Sequence, residues 1–200
     1  MSVKTVEFFF DVGSPAAYLA WTQLPALCAA AGADLAYRPM LLGGVFQATG
    51  NRSPMEVPAK SRYVRADLER YAAHYGVPLH FNPHFPVNTL LLMRGATALQ
   101  AHEGGARFGD YCRAIFRAMW VDGQNLNDPA TVGVVLQAAG FDPAAVLALA
   151  GEPAVKQRLK AVTEEAVARG VFGAPTMFVG EQMFWGQDRL DAVRQALAGA

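Results

Sequence analysis

The chain has 200 residues, 52% of them hydrophobic, and its 17 basic and 17 acidic side chains cancel to zero formal charge. That length suits one domain, or one domain with a large insertion, and allows a core that needs no disulfide or metal staples. The matched charge leaves no electrostatic footprint for nucleic acid or an anionic membrane, so the predicted ligand is a small molecule. Cys28 and Cys112 are far apart, which excludes a Cys-x-x-Cys redox pair and a cysteine zinc site. His74, His80, His84 and His102 show no ligand spacing, and no metal is predicted. Met1–Glu7 leads straight into an apolar strand, Asp11 interrupts any signal-peptide core, and no run approaches the roughly 18 apolar residues of a membrane span. These features predict a cytoplasmic protein.

Val6–Phe10 is a short aromatic run stopped by Asp11 and Gly13, which predicts a buried strand. Ser14 and Pro15 then read as an N-cap and the first helical residue. Ala17, Ala20, Leu24, Leu27, Cys28 and Ala31 recur at helical spacing, giving a helix to Gly32 with a kink predicted at Pro25. Leu35–Arg38 reads as a second strand ended by Pro39, and strand–helix–strand at this spacing predicts a parallel βαβ unit. Leu42 to Asn51, with Gly43, Gly44 and Gly50, reads as a loop.

Helical patterns then dominate. Val64, Leu68, Tyr71, Ala72 and Tyr75 form one stripe, closed by Gly76 and Pro78. A helix is predicted from Val87 to Glu103, ending at Gly104-Gly105, and Phe108 to Met119 carries the clearest stripe. Asp128-Pro129 and Asp142-Pro143 each read as cap plus first residue, and Pro153 opens a helix that Gly170 ends. Thr176–Val179 and Met183–Trp185, joined by Gly180-Glu181-Gln182, predict a hairpin. Asp188 reads as the cap of a final helix. The order is βαβ, a helical block, then ββα, which suggests an insertion between two strand units. The predicted boundaries are 1–42, 43–168 and 169–200.

Few residues stand out as chemistry-bearing. Ser14 lies where the first strand meets the first helix, and backbone N–H groups and the helix dipole there favour an anion or a thiolate. The same Ser-Pro pair is also an ordinary helix start. Ala174-Pro175-Thr176 enters a strand from a glycine-marked loop; a cis bond at Pro175 would free backbone groups to pair with a peptide-like ligand. Asn51 and Lys60 read as a turn residue and a solvated lysine when taken alone, and Asp188 as a cap. Tyr18, Trp21, Phe46, Trp120 and Trp185 either line an apolar pocket or belong to the core.

Together these pieces resemble one family. Phe10-Asp11-Val12-Gly13-Ser14-Pro15 with Tyr18-Leu19, then Gly50-Asn51-Arg52, Pro58-Ala59-Lys60, Tyr63 and Asp67-Leu68, resemble motifs of the kappa-class glutathione transferases and the 2-hydroxychromene-2-carboxylate isomerases. Gly170-Val171-Phe172-Gly173-Ala174-Pro175-Thr176-Met177-Phe178, through Phe184-Trp185-Gly186-Gln187-Asp188-Arg189-Leu190, is the most specific match, and its ending is more isomerase-like. Gln187 stands where kappa-class enzymes commonly carry serine. The resemblance implies an α/β, thioredoxin-like fold with an inserted all-helical domain, in a homodimer. It implies glutathione as cofactor and a small aromatic substrate, with Ser14 donating a hydrogen bond to the glutathione sulfur. Asn51, Lys60, the Val171 backbone, cis-Pro175 and Asp188 would hold glutathione, and Phe46 and Trp185 would wall the substrate pocket. Three rivals remain: a kappa-type transferase or peroxidase, a glutathione-binding protein without turnover, and a DsbA-like thiol oxidoreductase. Ser14 and Ala17 stand where the last would need cysteines.

Overall fold

The computed structural model describes residues 4–102 and 105–199. β1 (Thr5–Phe10) leads through a tight turn into α1 (Pro15–Ala30), which passes through Pro25 without ending, and β2 (Asp34–Pro39) returns parallel to β1. After α2 (Leu42–Thr49) come α3 (Pro58–Tyr75), α4 (Leu90–Ala101), α5 (Phe108–Trp120), α6 (Pro129–Ala138), α7 (Pro143–Gly151) and α8 (Pro153–Ala168). The hairpin of β3 (Thr176–Val179) and β4 (Gln182–Trp185) follows, then α9 (Leu190–Gly199). The sheet order is β2-β1-β3-β4, with β3 antiparallel to both neighbours. This is a thioredoxin-like fold in which the helical stretch lies between the two strand units.

Side chains alternate across β1, as a strand requires. Val6, Phe8 and Phe10 enter the larger core, while Phe9 points the other way, to Met40, Val45, Ala166, Val171 and Phe178. Phe10 meets Trp21, Tyr37, Phe108 and Phe116 with ring centroids 5.7–6.4 Å apart. Phe10, Phe108 and Phe116 are buried, and each contributes roughly 1.5–3 kcal/mol by leaving water. Both clusters draw on sheet and helices, so the helical stretch shares the core of the sheet. Asp128 and Asp142 cap α6 and α7, accepting from the Ala130 and Ala144 N–H groups. No single described helix is long and apolar enough to cross a membrane.

Three elements depart from the sequence reading. Leu42–Thr49 is helical rather than loop, and Gly50 at φ 69° closes it. Gly44 lets α2 lie against α8, where an added Cβ would stand 3.2 Å from Thr163 Cγ2. α4 starts at Leu90 instead of Val87, because the Asn88 side chain accepts from the Leu90 N–H while its own N–H donates to Asn127 Oδ1. The far end predicted for it, Glu103 and Gly104, lies outside the described residues. Asp188 sits inside a 3-10 turn, Gln187–Arg189, where its carboxylate pairs with Arg189 at 2.7 Å.

Candidate active site

The N-terminus of α1 opens on a cavity of about 780 Å³, within the usual range for small-molecule sites. Ser14 is the N-cap: its Oγ accepts from the Ala17 N–H at 3.1 Å and donates to the Ala174 carbonyl at 3.0 Å. One hydroxyl therefore ties the start of α1 to the residue before Pro175, and the Ala174–Pro175 bond is cis. Apolar walls come from Leu41, Leu42, Phe46, Met55, Phe85 and Val87. Arg52 is the basic residue of the lining; Asp11, Asp67 and Asp188 are its acids.

Asp11 organises the floor. The Ser14 N–H donates to its carbonyl at 3.0 Å and the Gly13 N–H to Oδ1 at 2.8 Å, closing a tight turn. Its Oδ2 accepts from the Leu42 N–H at the start of α2 (2.8 Å) and from the Thr89 hydroxyl just before α4 (3.0 Å). Asp11 is 1% exposed. Burial pushes its carboxyl above the ordinary value, and the hydrogen bonds from Gly13, Leu42 and Thr89 pull it back. The close approach needs glycine at 13, where a Cβ would lie 2.8 Å from Thr89 Cγ2.

Asn51, Asp188, Phe46 and Trp185 join Ser14 in the lining. Asn51 Nδ2 donates to the Phe172 carbonyl at 2.7 Å and its Oδ1 accepts from the Arg52 N–H, bridging two loops at the mouth. Trp185 packs against Phe172 with centroids 5.0 Å apart and the rings tilted by 52°, over Gly173, whose added Cβ would meet the indole nitrogen at 2.6 Å. Two other residues are placed elsewhere. Lys60 is exposed in the first turn of α3 and is not part of the lining. Val171 is buried beside Phe9 and Phe178, and its N–H is committed to the Ala166 carbonyl at 2.9 Å. The backbone bordering the cavity belongs to Gly173 and Ala174. Pro175 stands behind it, its carbonyl accepting from the Gly186 N–H at 3.0 Å.

Sequence reasoning read Asp11 only as a strand stop and missed Thr89, Phe85, Asp67 and Arg52 as lining residues. An Asp after an apolar strand and two residues before glycine is the available signal for an Asx turn. The cysteines lie away from the site: both are buried, and burial pushes Cys28 up to about 11 and Cys112 well above its ordinary value. The cavity thus offers a hydroxyl donor and a helix N-terminus to an anionic atom, apolar walls to a flat ligand, and no thiol of its own.

Residues 5–198 match the DSBA-like thioredoxin domain. The 2-hydroxychromene-2-carboxylate isomerase of Sphingobium xenophagum is 35% identical over 97% of this chain and 98% of its own length. The human glutathione S-transferase kappa 1 is 28% identical over 97% and 91%. A solved structure of a 2-hydroxychromene-2-carboxylate isomerase superposes with a TM-score of 0.84 at 31% identity, covering 97% of this chain and 94% of that one. On sequence and fold alike, the chain belongs to the 2-hydroxychromene-2-carboxylate isomerase family, within the DSBA-like thioredoxin domains.

Proposed function

We propose that this protein is a glutathione-dependent isomerase interconverting 2-hydroxychromene-2-carboxylate and trans-o-hydroxybenzylidenepyruvate. The observation that carries the reading is the Ser14 hydroxyl at the N-terminus of α1, opening on an apolar-walled cavity that contains no cysteine. The residues present fit glutathione. Ser14 and the helix dipole suit its sulfur, Asp188 and Asp67 suit its ammonium, Arg52 suits a carboxylate, and the backbone at Gly173 and Ala174 suits a peptide.

Bound glutathione would supply a sulfur nucleophile that adds reversibly to the conjugated C=C bond, leaving a single bond free to rotate. Ser14, whose hydroxyl donates to the Ala174 carbonyl at 3.0 Å, would be the residue that donates to the sulfur when glutathione is bound and so holds negative charge there. Phe46, Phe85 and Met55 hold the flat ring and exclude water from the rotating bond. Asn51 keeps the mouth in place through the Phe172 carbonyl.

The kappa-class relative supports a second reading, in which the sulfur leaves joined to the product. Absorbance of 2-hydroxychromene-2-carboxylate is followed with and without glutathione, and the products are weighed by mass spectrometry. Glutathione-dependent conversion with the thiol recovered intact is expected. A stable covalent adduct would replace the isomerase reading by the transferase one, and binding without conversion would leave neither standing.

A further inference from the structure

The helix that walls the candidate active site has a second cavity on its other side. Leu42, Gly43 and Phe46 of α2 face the cavity at Ser14. Gly44, Gln47 and Ala48 face a cavity of about 840 Å³ bounded by α4 and α8. Spacings of three and four residues put each set on one side of the helix. Leu41 and Leu90 line both cavities. The start of α2 is held from each side: the Leu41 N–H donates to the Thr163 hydroxyl at 3.0 Å, and the Leu42 N–H to Asp11 Oδ2 at 2.8 Å. Thr163 lines the second cavity and donates its own proton to the Leu159 carbonyl at 2.7 Å.

The second cavity is basic where the first is acidic. Its charged lining groups are Arg94 on α4 and Lys156, Lys160 and Glu164 on α8. Lys160 and Glu164 pair at 3.6 Å. No acid lies within salt-bridge distance of Arg94 or Lys156 among the described residues. Two positive charges are thus left over here, in a chain whose formal charges sum to zero. Arg94 is half-buried, and a guanidinium withdrawn from water without a counter-charge is unfavourable. Leu90, Leu159 and Val167 add apolar surface to the same lining. The volume is that of a small-molecule site, and the flat fork of an arginine matches a carboxylate. We propose that this cavity is a second binding site, for a small amphiphilic carboxylate. The carboxylate pairs with Arg94 in the field of Lys156, and the apolar body covers Leu90, Leu159 and Val167. An inorganic anion would leave the apolar surface wet, and a neutral apolar molecule would leave Arg94 without a counter-charge. The inference does not depend on what occupies the cavity at Ser14.

The probe is 2-naphthoate, titrated by calorimetry into the whole protein at low ionic strength, with 2-naphthamide as its uncharged counterpart. Saturable binding of the naphthoate, and weaker binding of the amide, is expected. Arg94→Gln should weaken naphthoate binding by at least about tenfold, the size of losing one charge-assisted pair. Lys156 is exposed, so Lys156→Gln keeps the test open even where Arg94→Gln does not fold. It should weaken binding by about two- to fivefold, as for an exposed charge. Naphthoate could also enter the cavity at Ser14, whose basic residue is Arg52. Arg52→Gln is therefore the control, and it should leave the Arg94-dependent binding unchanged. The inference is overturned by the absence of saturable binding or by equal binding of the amide. It is also overturned by binding that falls in Arg52→Gln while Arg94→Gln and Lys156→Gln match the wild type. None of these outcomes touches the isomerase reading, which the conversion assay decides.

Discussion

Ser14 spends its hydroxyl twice. It accepts from the Ala17 N–H and donates to the Ala174 carbonyl, and a hydroxyl has only one proton to give. Ser14→Ala should lose about 1 kcal/mol of stability as a lost cap, read by thermal unfolding. It should also lose turnover by on the order of 10²-fold, the usual size for one donor to a developing negative charge. A full stability loss with unchanged turnover would leave Ser14 as a cap only. Asp11 makes a separate statement in pH. Its folded carboxyl is raised above the ordinary 3.8 by burial, so its contribution is fully present below the unfolded value and is lost as pH rises through the folded one. The stability of the wild type relative to Asp11→Asn should therefore fall as pH rises from the acid range, as measured by denaturant unfolding at each pH. Ser14 was legible in the sequence because a cap and the proline after it are adjacent. Asp11 was not, because its partners Leu42 and Thr89 stand 31 and 78 residues away.

Among the helices, close approach is set by small residues. On α4, a Cβ added at Gly95 would fall on the Tyr111 hydroxyl of α5, which donates to the Leu92 carbonyl at 2.8 Å. Gly95→Ala should destabilise by roughly 1–3 kcal/mol through overpacking, and Tyr111→Phe should recover part of that in the double variant, read as a rise in melting temperature. No recovery would place the strain elsewhere. The same reasoning explains why α2 was hidden. Gly43, Gly44 and Gly50 read locally as loop, yet one of them permits contact with α8 and another closes the helix in the left-handed conformation. The capped helices were visible for the opposite reason: Asp-Pro at 128–129 and 142–143 is a local signal that the tertiary structure leaves intact.

Across the whole molecule, the parallel β1–β2 pair and the β3–β4 hairpin followed from aromatic and apolar runs and from the length of the crossover, while the order that sets β3 beside β1 pairs strands more than 160 residues apart and left no local signal. What the pattern could not give was depth. Val171 lies beside a cavity-lining loop in sequence but sits inside the second core, while Lys60 sits outside the mouth. The three tryptophans show the same grading of depth and put it to use. Trp120 is fully buried with its indole N–H on the Val12 carbonyl, Trp21 is half-buried among aromatic rings, and Trp185 is 49% exposed at the cavity rim. The molecule therefore carries its own optical gauge. The red edge of its fluorescence should come from Trp185, the most exposed of the three, and a ligand that dries the rim should shift that emission to the blue in proportion to occupancy. Trp185→Phe should remove the shift while the emission of Trp120 persists, so site filling can be followed in the unlabelled protein.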